Sequence, residues 1–209
     1  MRITEKFHSI QGEGPLTGVP MYFVRTNRCN LRCSWCDSAY TFTGGHDEPL
    51  EGLIAEAANV WENWICLTGG EPLLQADAPG FVKSVTDSGK HVLIETGGSL
   101  SVQPYIGIPH TAIDMDVKTP SSGEADSLRR ENIDLLRESD YLKFIIKDVT
   151  DYNYSRNFVN SLNSGIAKIF QPCFGIDARW IVEAVIRDRL PVRVMGQYHK
   201  AIWGEIPGV

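Results

Sequence analysis

The sequence predicts an α/β fold with a mainly parallel sheet and crossover helices. Short β-rich runs alternate with helical stretches along the chain, which is the pattern of a parallel sheet. Polar motifs mostly follow the predicted strands directly, as they do where an active site is built at one end of such a sheet. The chain has 209 residues, which suggests a single domain (1–209) that buries a core without disulfides.

Seven strands and five helices account for this alternation. The strands are predicted at residues 21–25, 65–68, 91–95, 112–115, 142–146, 168–170 and 192–194. The helices are predicted at residues 50–61, 77–88, 129–138, 152–162 and 178–187. Residues 119–126 are rich in Ser, Gly and Pro and are expected to form a loop within the domain.

Composition excludes several classes of protein. Hydrophobic residues make up 43% and charged residues 22% of the chain, which is ordinary for a globular protein. The net charge of −6 argues against a general nucleic-acid binder. Neither a membrane-spanning apolar run nor a signal peptide is evident, so we expect a cytoplasmic protein without a membrane partner.

Three of the five cysteines are crowded together as Cys29, Cys33 and Cys36. In a reducing cytosol this crowding indicates metal or redox chemistry rather than disulfides. A short loop with three thiolates can bind three irons of a [4Fe–4S] cube and leave the fourth iron open. The alternative is a structural zinc site formed by the three cysteines and His46, although no second two-ligand knuckle is present.

Other motifs are expected to lie near the cysteine loop. Cys29 follows the first predicted strand, Gly69-Gly70-Glu71-Pro72 the second and Thr96-Gly97-Gly98 the third. Asp116-Val117-Lys118 follows the fourth strand and Gln171-Pro172 the sixth. In a parallel barrel these positions share one rim, so the scattered motifs are predicted to converge on a single site.

The CxxxCxxC spacing, with Trp35 before the last cysteine, resembles the signature of the radical S-adenosylmethionine (SAM) superfamily. Gly69-Gly70-Glu71-Pro72 is similar to the superfamily motif that binds the amino group of SAM. The resemblance implies that SAM chelates the open iron and that Glu71 accepts a hydrogen bond from its amino group. Reductive cleavage of SAM then gives methionine and a 5′-deoxyadenosyl radical, chemistry that belongs to the cofactor.

Further segments resemble the 7-carboxy-7-deazaguanine synthase family over nearly the whole chain. They are Phe7-His-Ser-Ile-Gln11-Gly12-Glu13-Gly14, Arg25, Cys36-Asp37-Ser38, Glu95-Thr96-Gly97-Gly98, Gln171-Pro172 and Gln197-Tyr-His199-Lys200. The resemblance implies conversion of 6-carboxy-5,6,7,8-tetrahydropterin to 7-carboxy-7-deazaguanine by radical ring contraction with loss of ammonia, in the queuosine pathway. It implies that the adenosyl radical removes a hydrogen from C6 of the pterin and that SAM is regenerated. It also implies an incomplete TIM-like barrel, assistance by Mg²⁺, a homodimer and a flavodoxin or ferredoxin electron donor.

The same resemblance assigns site residues. Substrate contacts are implied for Ile10, Gln11, Gly12, Arg25, Thr68 and His199. SAM contacts are implied for Gly70, Glu71, Asp116, Val117, Lys118, Gln171, Pro172, Cys173 and Phe174. The Arg25 guanidinium suits a carboxylate because it can form two parallel hydrogen bonds. Its position four residues before Cys29 favours a pocket residue over an ordinary strand-end arginine. His199 is either a pocket residue or a buried structural histidine.

The sequence departs from the family pattern in three places. Ser38, the implied Mg²⁺ ligand, stands where the family often has threonine, and it keeps the hydroxyl oxygen. Gly97 replaces the asparagine of the familiar Glu-Thr-Asn-Gly. The chain also continues ten residues past His199, so a substrate contact by the carboxylate of Val209 is left open.

The sequence leaves three rival functions open. A radical SAM activase of a partner protein would share the cysteine loop and the glycine motif, but it would not need a pterin pocket. A small iron–sulfur electron carrier would be expected to have a fourth ligand. A zinc-stabilised interaction module would be colourless, whereas a cluster protein is brown.

Overall fold

A single mixed sheet of nine strands organises the computed structural model, which describes residues 1–206 and 208. The strands are β1 (Arg2–Ile10), β2 (Pro20–Thr26), β3 (His46–Asp47), β4 (Trp64–Gly69), β5 (His91–Thr96), β6 (Thr111–Asp116), β7 (Tyr141–Ile146), β8 (Ala167–Pro172) and β9 (Arg193–Val194). Their order across the sheet is β3-β1-β2-β4-β5-β6-β7-β8-β9. The sheet is open, with parallel pairing from β2 to β9 and antiparallel pairing at the β1–β3 edge. The predicted incomplete, mainly parallel barrel is therefore confirmed.

Five α-helices accompany the sheet in the described part of the chain. They are α1 (Leu50–Asn59), α2 (Ala78–Asp87), α3 (Val149–Ser161), α4 (Arg179–Asp188) and α5 (Tyr198–Trp203). Helix α3 begins at the side chain of Asp148, which accepts hydrogen bonds from the amides of Thr150 and Asp151. None of the helices that the structure describes combines the length and the apolar character needed to cross a membrane.

The predicted helix at residues 129–138 is wrong. A 3₁₀ helix (Arg130–Leu135) occupies this stretch. The side chain of Asn132 is buried and donates to the carbonyls of Gly98 and Leu100, while it accepts from the amide of Val102. These contacts pin the segment to the loop after β5 and favour the tighter turn over a continuous α-helix.

The sequence did not predict β1, β3 or α5. Strand β1 has polar residues on both faces and only Ile3 is fully buried along it, so it shows no alternating pattern. Strand β3 is two residues long and exposed. Helix α5 is six residues long and has no buried residue. It is therefore too short and too exposed to show a helical pattern of apolar residues. Val209, whose carboxylate was left open as a substrate contact, lies outside the described residues.

The two faces of the parallel strands bury different cores. The outer face packs against the helices and contributes, for example, Ile65, Ile113 and Phe144. The inner face holds a small apolar layer that includes Phe23, Cys66 and Leu93. Nearer the carboxyl ends of the strands, the inward side chains become polar. Because side chains alternate along a strand, one sheet can thus carry a helix-covered core on one face and a polar pocket on the other.

Candidate active site

A cavity of about 370 Å³ opens at the carboxyl ends of the parallel strands. Residues from five separate motifs line it: Cys29, Gly70, Gly97, Asp116 and Cys173. The first four of these follow or end β2, β4, β5 and β6, and Cys173 follows β8. The predicted convergence on one rim is confirmed for the first four motifs, whereas Gln171-Pro172 itself is buried beside the cavity and the following Cys173 lines it.

The cysteine loop forms one wall of this cavity. Cys29, Cys33 and Cys36 are all partly buried, all line the cavity and all carry free thiols. The amide of Leu31 donates to Cys29 Sγ at 3.3 Å. Three thiols presented from one short loop to one cavity are the donor set that an iron–sulfur cube with an open iron requires.

His46, the fourth ligand of the zinc alternative, lies on a different part of the molecule. It is on the exposed strand β3, where its Nε2 is 2.7 Å from a carboxylate oxygen of Glu48. It is not part of the cavity lining. This position does not favour a site shared by His46 and the three cysteines.

Burial disfavours thiolates in this loop when nothing is bound to them. Desolvation raises the pKa of Cys29, and it raises the pKa of Cys33 to about 11. The charge of Lys118 opposes both shifts. A bound cluster reverses this preference, because a coordinated thiol is deprotonated by the metal.

Gly70 allows the end of β4 to pack against the cysteine loop. A Cβ atom at this position would lie 2.2 Å from the carbonyl oxygen of Arg28 and 2.9 Å from Cys29 Cβ. The first contact is with backbone and cannot be relieved by a side-chain rotation. Glycine at residue 70 is therefore required by the close approach itself.

Glu71 is fully buried beside the cavity, and both of its oxygens already accept hydrogen bonds. The donors are the hydroxyl of Thr96, at 2.9 and 3.0 Å, and the amides of Gly97 and Leu73. Burial raises the pKa of Glu71, while these donors favour its ionised form. Glu71 thus joins the loop after β4 to the loop after β5.

A polar row of side chains crosses the inner face of the sheet, two residues further along each strand than the apolar layer. Its members on the strands are Arg25, Thr68, Glu95 and Asp114. In the sheet register Arg25 of β2 pairs with Thr68 of β4, and Glu95 of β5 pairs with Asp114 of β6. Glu95 accepts from the Thr68 hydroxyl at 2.7 Å and from the Gln11 amide at 2.9 Å. All five side chains line the cavity, so the row faces the site.

Arg25 is held by one nitrogen only. Its Nε donates to a carboxylate oxygen of Glu5 at 2.7 Å, and its guanidinium lies over the ring of Phe7. The hydroxyl of Tyr40 donates to the same Glu5 oxygen. The two terminal nitrogens of Arg25 have no hydrogen-bond partner among the described residues. They are the edge of the guanidinium that suits a two-point contact with a carboxylate.

Lys143 of β7 lies deep on the same wall and is 6% exposed. Its Nζ donates to Glu13 at 2.6 Å and to Asp114 at 2.9 Å. Burial opposes ionisation of Glu13, but the charge of Lys143 and its hydrogen bond lower the pKa of Glu13 to about 2. Burial likewise opposes a charge on Lys143, but Asp114 and Glu13 raise its pKa. The three side chains form a buried triad in which the Lys143 ammonium bridges two carboxyl groups.

The segment before and within α5 closes over the pocket. Gln197 donates to Glu13 at 2.7 Å, and Lys200 donates to Asp37 at 2.9 Å. The His199 ring lies against Gly12, where a Cβ atom would approach its Nδ1 to 1.8 Å. Burial lowers the pKa of His199, which favours the neutral imidazole in the site.

The structure brings most of the sequence-predicted site residues together. Those that line the cavity are Ile10, Gln11, Gly12, Arg25, Cys29, Cys33, Cys36, Ser38, Thr68, Gly70, Glu71, Asp116, Lys118, Cys173, Phe174 and His199. Three others are buried next to it without forming part of its described lining: Val117, Gln171 and Pro172. The side chain of Val117 packs in the helix-side core, which leaves its backbone as the part that can contact a ligand.

Asp114 and Lys143 are site residues that the sequence did not predict. Each is a charged residue inside an apolar strand, within Ala-Ile-Asp-Met and Leu-Lys-Phe-Ile respectively. A charged side chain is almost never buried unless it is paired. A charged residue inside each of two predicted strands was therefore a usable signal for two buried side chains that need polar partners.

Comparison with known proteins identifies the family of the chain. Residues 23–146 match the Radical SAM superfamily. The 7-carboxy-7-deazaguanine synthase of Thermoplasma acidophilum is 49% identical over 209 residues, with all of both chains covered. The chain belongs to the 7-carboxy-7-deazaguanine synthase family. The family's enzyme from Koribacter versatilis is 40% identical over 97% of each chain.

A solved structure of the synthase family shares the fold. The crystal structure of QueE from Escherichia coli superposes with a TM-score of 0.79 over 95% of this chain and 94% of that chain. At 22% sequence identity this match concerns the fold alone. Members of the synthase family are radical SAM enzymes, so the cavity described above is the candidate site for their shared cofactors.

Proposed function

We propose that the chain converts 6-carboxy-5,6,7,8-tetrahydropterin to 7-carboxy-7-deazaguanine by radical ring contraction with loss of ammonia, in 7-deazapurine (queuosine) biosynthesis. The observation that carries this proposal is the shared cavity. Three thiols on its rim and the polar row on its wall face the same space. The cofactor end and the substrate end of the site are thus adjacent.

The rim residues fit the cofactors of the superfamily. Cys29, Cys33 and Cys36 would hold a [4Fe–4S] cluster, and no other cysteine lies on that loop. SAM would lie along Gly70, Glu71, Asp116 to Lys118 and the segment from Gln171 to Phe174. When bound together, the cluster and SAM supply a carbon-centred radical for hydrogen abstraction. The residues around them position the ligands and exclude water.

The wall residues fit a reduced pterin with a carboxylate. The free edge of Arg25 offers two donors to the substrate carboxylate. The amino-pyrimidine edge of a pterin presents N–H donors, which suit the acceptor oxygens of Glu95 beside Gln11 and Thr68. Ile10, Gly12 and His199 complete this part of the cavity. The set of charges favours a small, polar substrate over a protein loop.

We also propose a Mg²⁺ ion next to Ser38. The Ser38 hydroxyl lines the cavity, 3.7 Å from Cys36 Sγ and one residue after the carboxylate of Asp37. Mg²⁺ prefers hard oxygen ligands and keeps several waters, so it needs few ligands from the protein. Ser38 would supply one oxygen, and substrate and water would supply the others.

Other parts of the proposal rest on the family. We propose a homodimer, a flavodoxin or ferredoxin as electron donor and a cytoplasmic location, where the reducing environment matches the five free thiols.

The proposed function is tested by anaerobic turnover. Reconstituted protein is incubated with SAM, a reductant and the carboxypterin, and the products are analysed by mass. We expect 7-carboxy-7-deazaguanine and ammonia in equal amounts, with no product from a pterin that lacks the carboxylate. A brown protein that cleaves SAM but never converts the carboxypterin would refute the proposal and favour the activase alternative.

A further inference from the structure

Asp114 has an unusual hydrogen-bonding environment among the acidic residues of the cavity. It is 0% exposed, one of its oxygens accepts from Lys143, and Oδ1 has no partner in the described part of the chain. Because Asp114 lines the cavity, a substrate is the available partner for that oxygen. A buried oxygen without a partner is costly unless a ligand satisfies it.

The neighbouring carboxylates differ in this respect. Glu13 accepts from Lys143 and Gln197, and Glu95 accepts from Gln11 and Thr68. Each of their oxygens therefore has a donor, which keeps these groups as acceptors. Asp116 also has one unpartnered oxygen, but it pairs with Lys118 at the cysteine end of the cavity. Among these carboxylates, Asp114 combines an unpartnered oxygen with a position in the polar row.

The proposed reaction requires a proton carrier at the substrate. After the radical rearrangement, aromatisation of the new ring breaks a C–H bond, and its electron pair forms the ring double bond. The C–N bond to the departing nitrogen breaks with its electron pair going to nitrogen, which takes up a proton and leaves as ammonia. This elimination is redox-neutral and needs no further reactant. A positioned acid–base group accelerates such transfers by about 10² to 10⁴.

We propose that Asp114 carries this proton between the ring carbon and the departing nitrogen, and that Lys143 is its positioning residue. The inference rests on the proposed function. Asp114 gives a proton from Oδ1 to nitrogen and regains one from carbon, so it ends each turnover unchanged. Lys143 fixes the other oxygen and stabilises the carboxylate while the proton is away.

The electrostatic environment supports this role. Burial raises the pKa of Asp114 to about 7, and nearby Glu95 and Asp116 add to the shift while Lys143 opposes it. A group that titrates near neutral pH can both give and accept a proton during turnover. Other titratable neighbours are Glu13, Tyr141 and the buried thiol of Cys66.

The test compares Asp114→Asn with wild type and with the control Lys6→Met. Asparagine keeps the shape of the side chain and an oxygen for Lys143, so the fold and the cluster should persist. Lys6 also bridges two carboxylates, but it does so outside the cavity. Cluster content, substrate binding, product and 5′-deoxyadenosine are measured for each protein in the reconstituted state.

We expect Asp114→Asn to form product at least a hundredfold more slowly while SAM cleavage that depends on substrate continues. The ratio of 5′-deoxyadenosine to product should therefore rise, whereas a merely structural defect would lower both together. Lys143→Gln should show the same uncoupling and also bind substrate more weakly, because it no longer orients Glu13. Lys6→Met should match wild type in the ratio.

Infrared difference spectroscopy provides a readout independent of turnover. Substrate binding to wild type should perturb the band of a protonated, buried carboxyl group, and this band should be absent in Asp114→Asn. Wild-type turnover together with an unchanged product ratio in Asp114→Asn would overturn this inference and leave the proposed function standing. A wild-type protein that makes no product would instead overturn the proposed function, and this inference with it.

Discussion

Two lysines in this molecule each bridge a pair of carboxylates, yet they lie in opposite settings. Lys143 contacts Glu13 and Asp114 at 2.6 and 2.9 Å and is 6% exposed. Lys6 contacts Glu48 and Glu56, both at 2.7 Å, and is 22% exposed. The local geometry is nearly the same. The difference is that the Lys143 triad faces the cavity and the Lys6 triad lies outside it.

The role of an ion pair thus depends on its surroundings more than on its distances. A buried lysine costs several kcal/mol of desolvation, and well-packed apolar residues in place of the whole charged group often cause no loss of stability. Retaining such a charge next to a ligand cavity points to a role with the ligand. Near the surface, the same triad is a modest contributor to stability. Pairs of like residues inside and outside the cavity should therefore respond differently to substitution.

The largest contrast is expected between cysteines. Changing Cys29, Cys33 or Cys36 to alanine should abolish turnover and most of the bound iron, because each removes one of three thiolate ligands. Cys66 is fully buried in the inner apolar layer, so Cys66→Ala should keep the cluster. Iron and sulfide content of the reconstituted proteins measures this. Loss of iron in Cys66→Ala with retention in Cys29→Ala would reverse the ligand assignment.

The next contrast concerns arginines. Arg25→Ala should weaken binding of the carboxypterin by roughly thirtyfold or more, since a buried charge pair that loses one partner costs about 2–4 kcal/mol. Arg25→Lys should recover only part of this loss, because an ammonium lacks the planar two-point contact. Arg156, which pairs with Asp188 away from the cavity, is the matched control.

Dissociation constants for the carboxypterin and for a pterin without the carboxylate, both with SAM present, measure the discrimination. It should shrink in Arg25→Ala and remain unchanged in Arg156→Ala. Equal losses for both ligands in Arg25→Ala would show that Arg25 supports the pocket without contacting the carboxylate.

A smaller effect is expected for Ser38→Ala. The change removes one hydroxyl oxygen at the cavity rim and leaves the three cysteines in place. Turnover should fall severalfold and its stimulation by Mg²⁺ should weaken, while SAM cleavage without substrate stays near the wild-type rate. A titration of activity against Mg²⁺ concentration tests this, and an unchanged curve would exclude Ser38 as a ligand.

The smallest effect is expected for Lys6→Met, which should lower the free energy of unfolding by about 0.5–1 kcal/mol at neutral pH. Lys6 lowers the pKa of Glu56, and it does the same for Glu48 against the effect of partial burial. This stabilisation is therefore present above the unfolded value of 4.5 and is lost as pH falls through the lowered pKa values.

Chemical denaturation of wild type and Lys6→Met at pH 7 and at acidic pH measures the difference. The two proteins should converge in stability as the solution becomes acidic. A gap that persists or widens in acid would mean that the methionine alters packing rather than charge.

Most of the fold could be predicted because the parallel strands obey simple patterns. Residues 65–68 form a mainly apolar run that ends at Gly69-Gly70-Glu71-Pro72, and the structure places strand β4 there. The antiparallel edge was not predicted because both faces of β1 are only partly buried, so its apolar and polar residues do not alternate. Residues 130–135 were misjudged because Asn132 makes contacts that only the tertiary structure reveals.

The candidate site was predicted unevenly for a related reason. The cysteine loop and Gly70 belong to local motifs whose spacing is visible in one segment. Lys143 and Asp114 act together only after β6 and β7 pair in parallel, and they lie 29 positions apart along the chain. Such a contact is absent from any local pattern, so the sequence reveals the charged residues but not their partnership.

The most direct test of the account follows a single hydrogen through the cavity. The three cysteines and the polar row line the same cavity. A hydrogen on C6 of the carboxypterin should therefore be transferred to the 5′ carbon of SAM. Reconstituted protein is given substrate deuterated at C6, and recovered SAM and 5′-deoxyadenosine are analysed by mass. We predict deuterium at the 5′ carbon together with formation of 7-carboxy-7-deazaguanine. Product formed with no deuterium in either nucleoside would contradict the account.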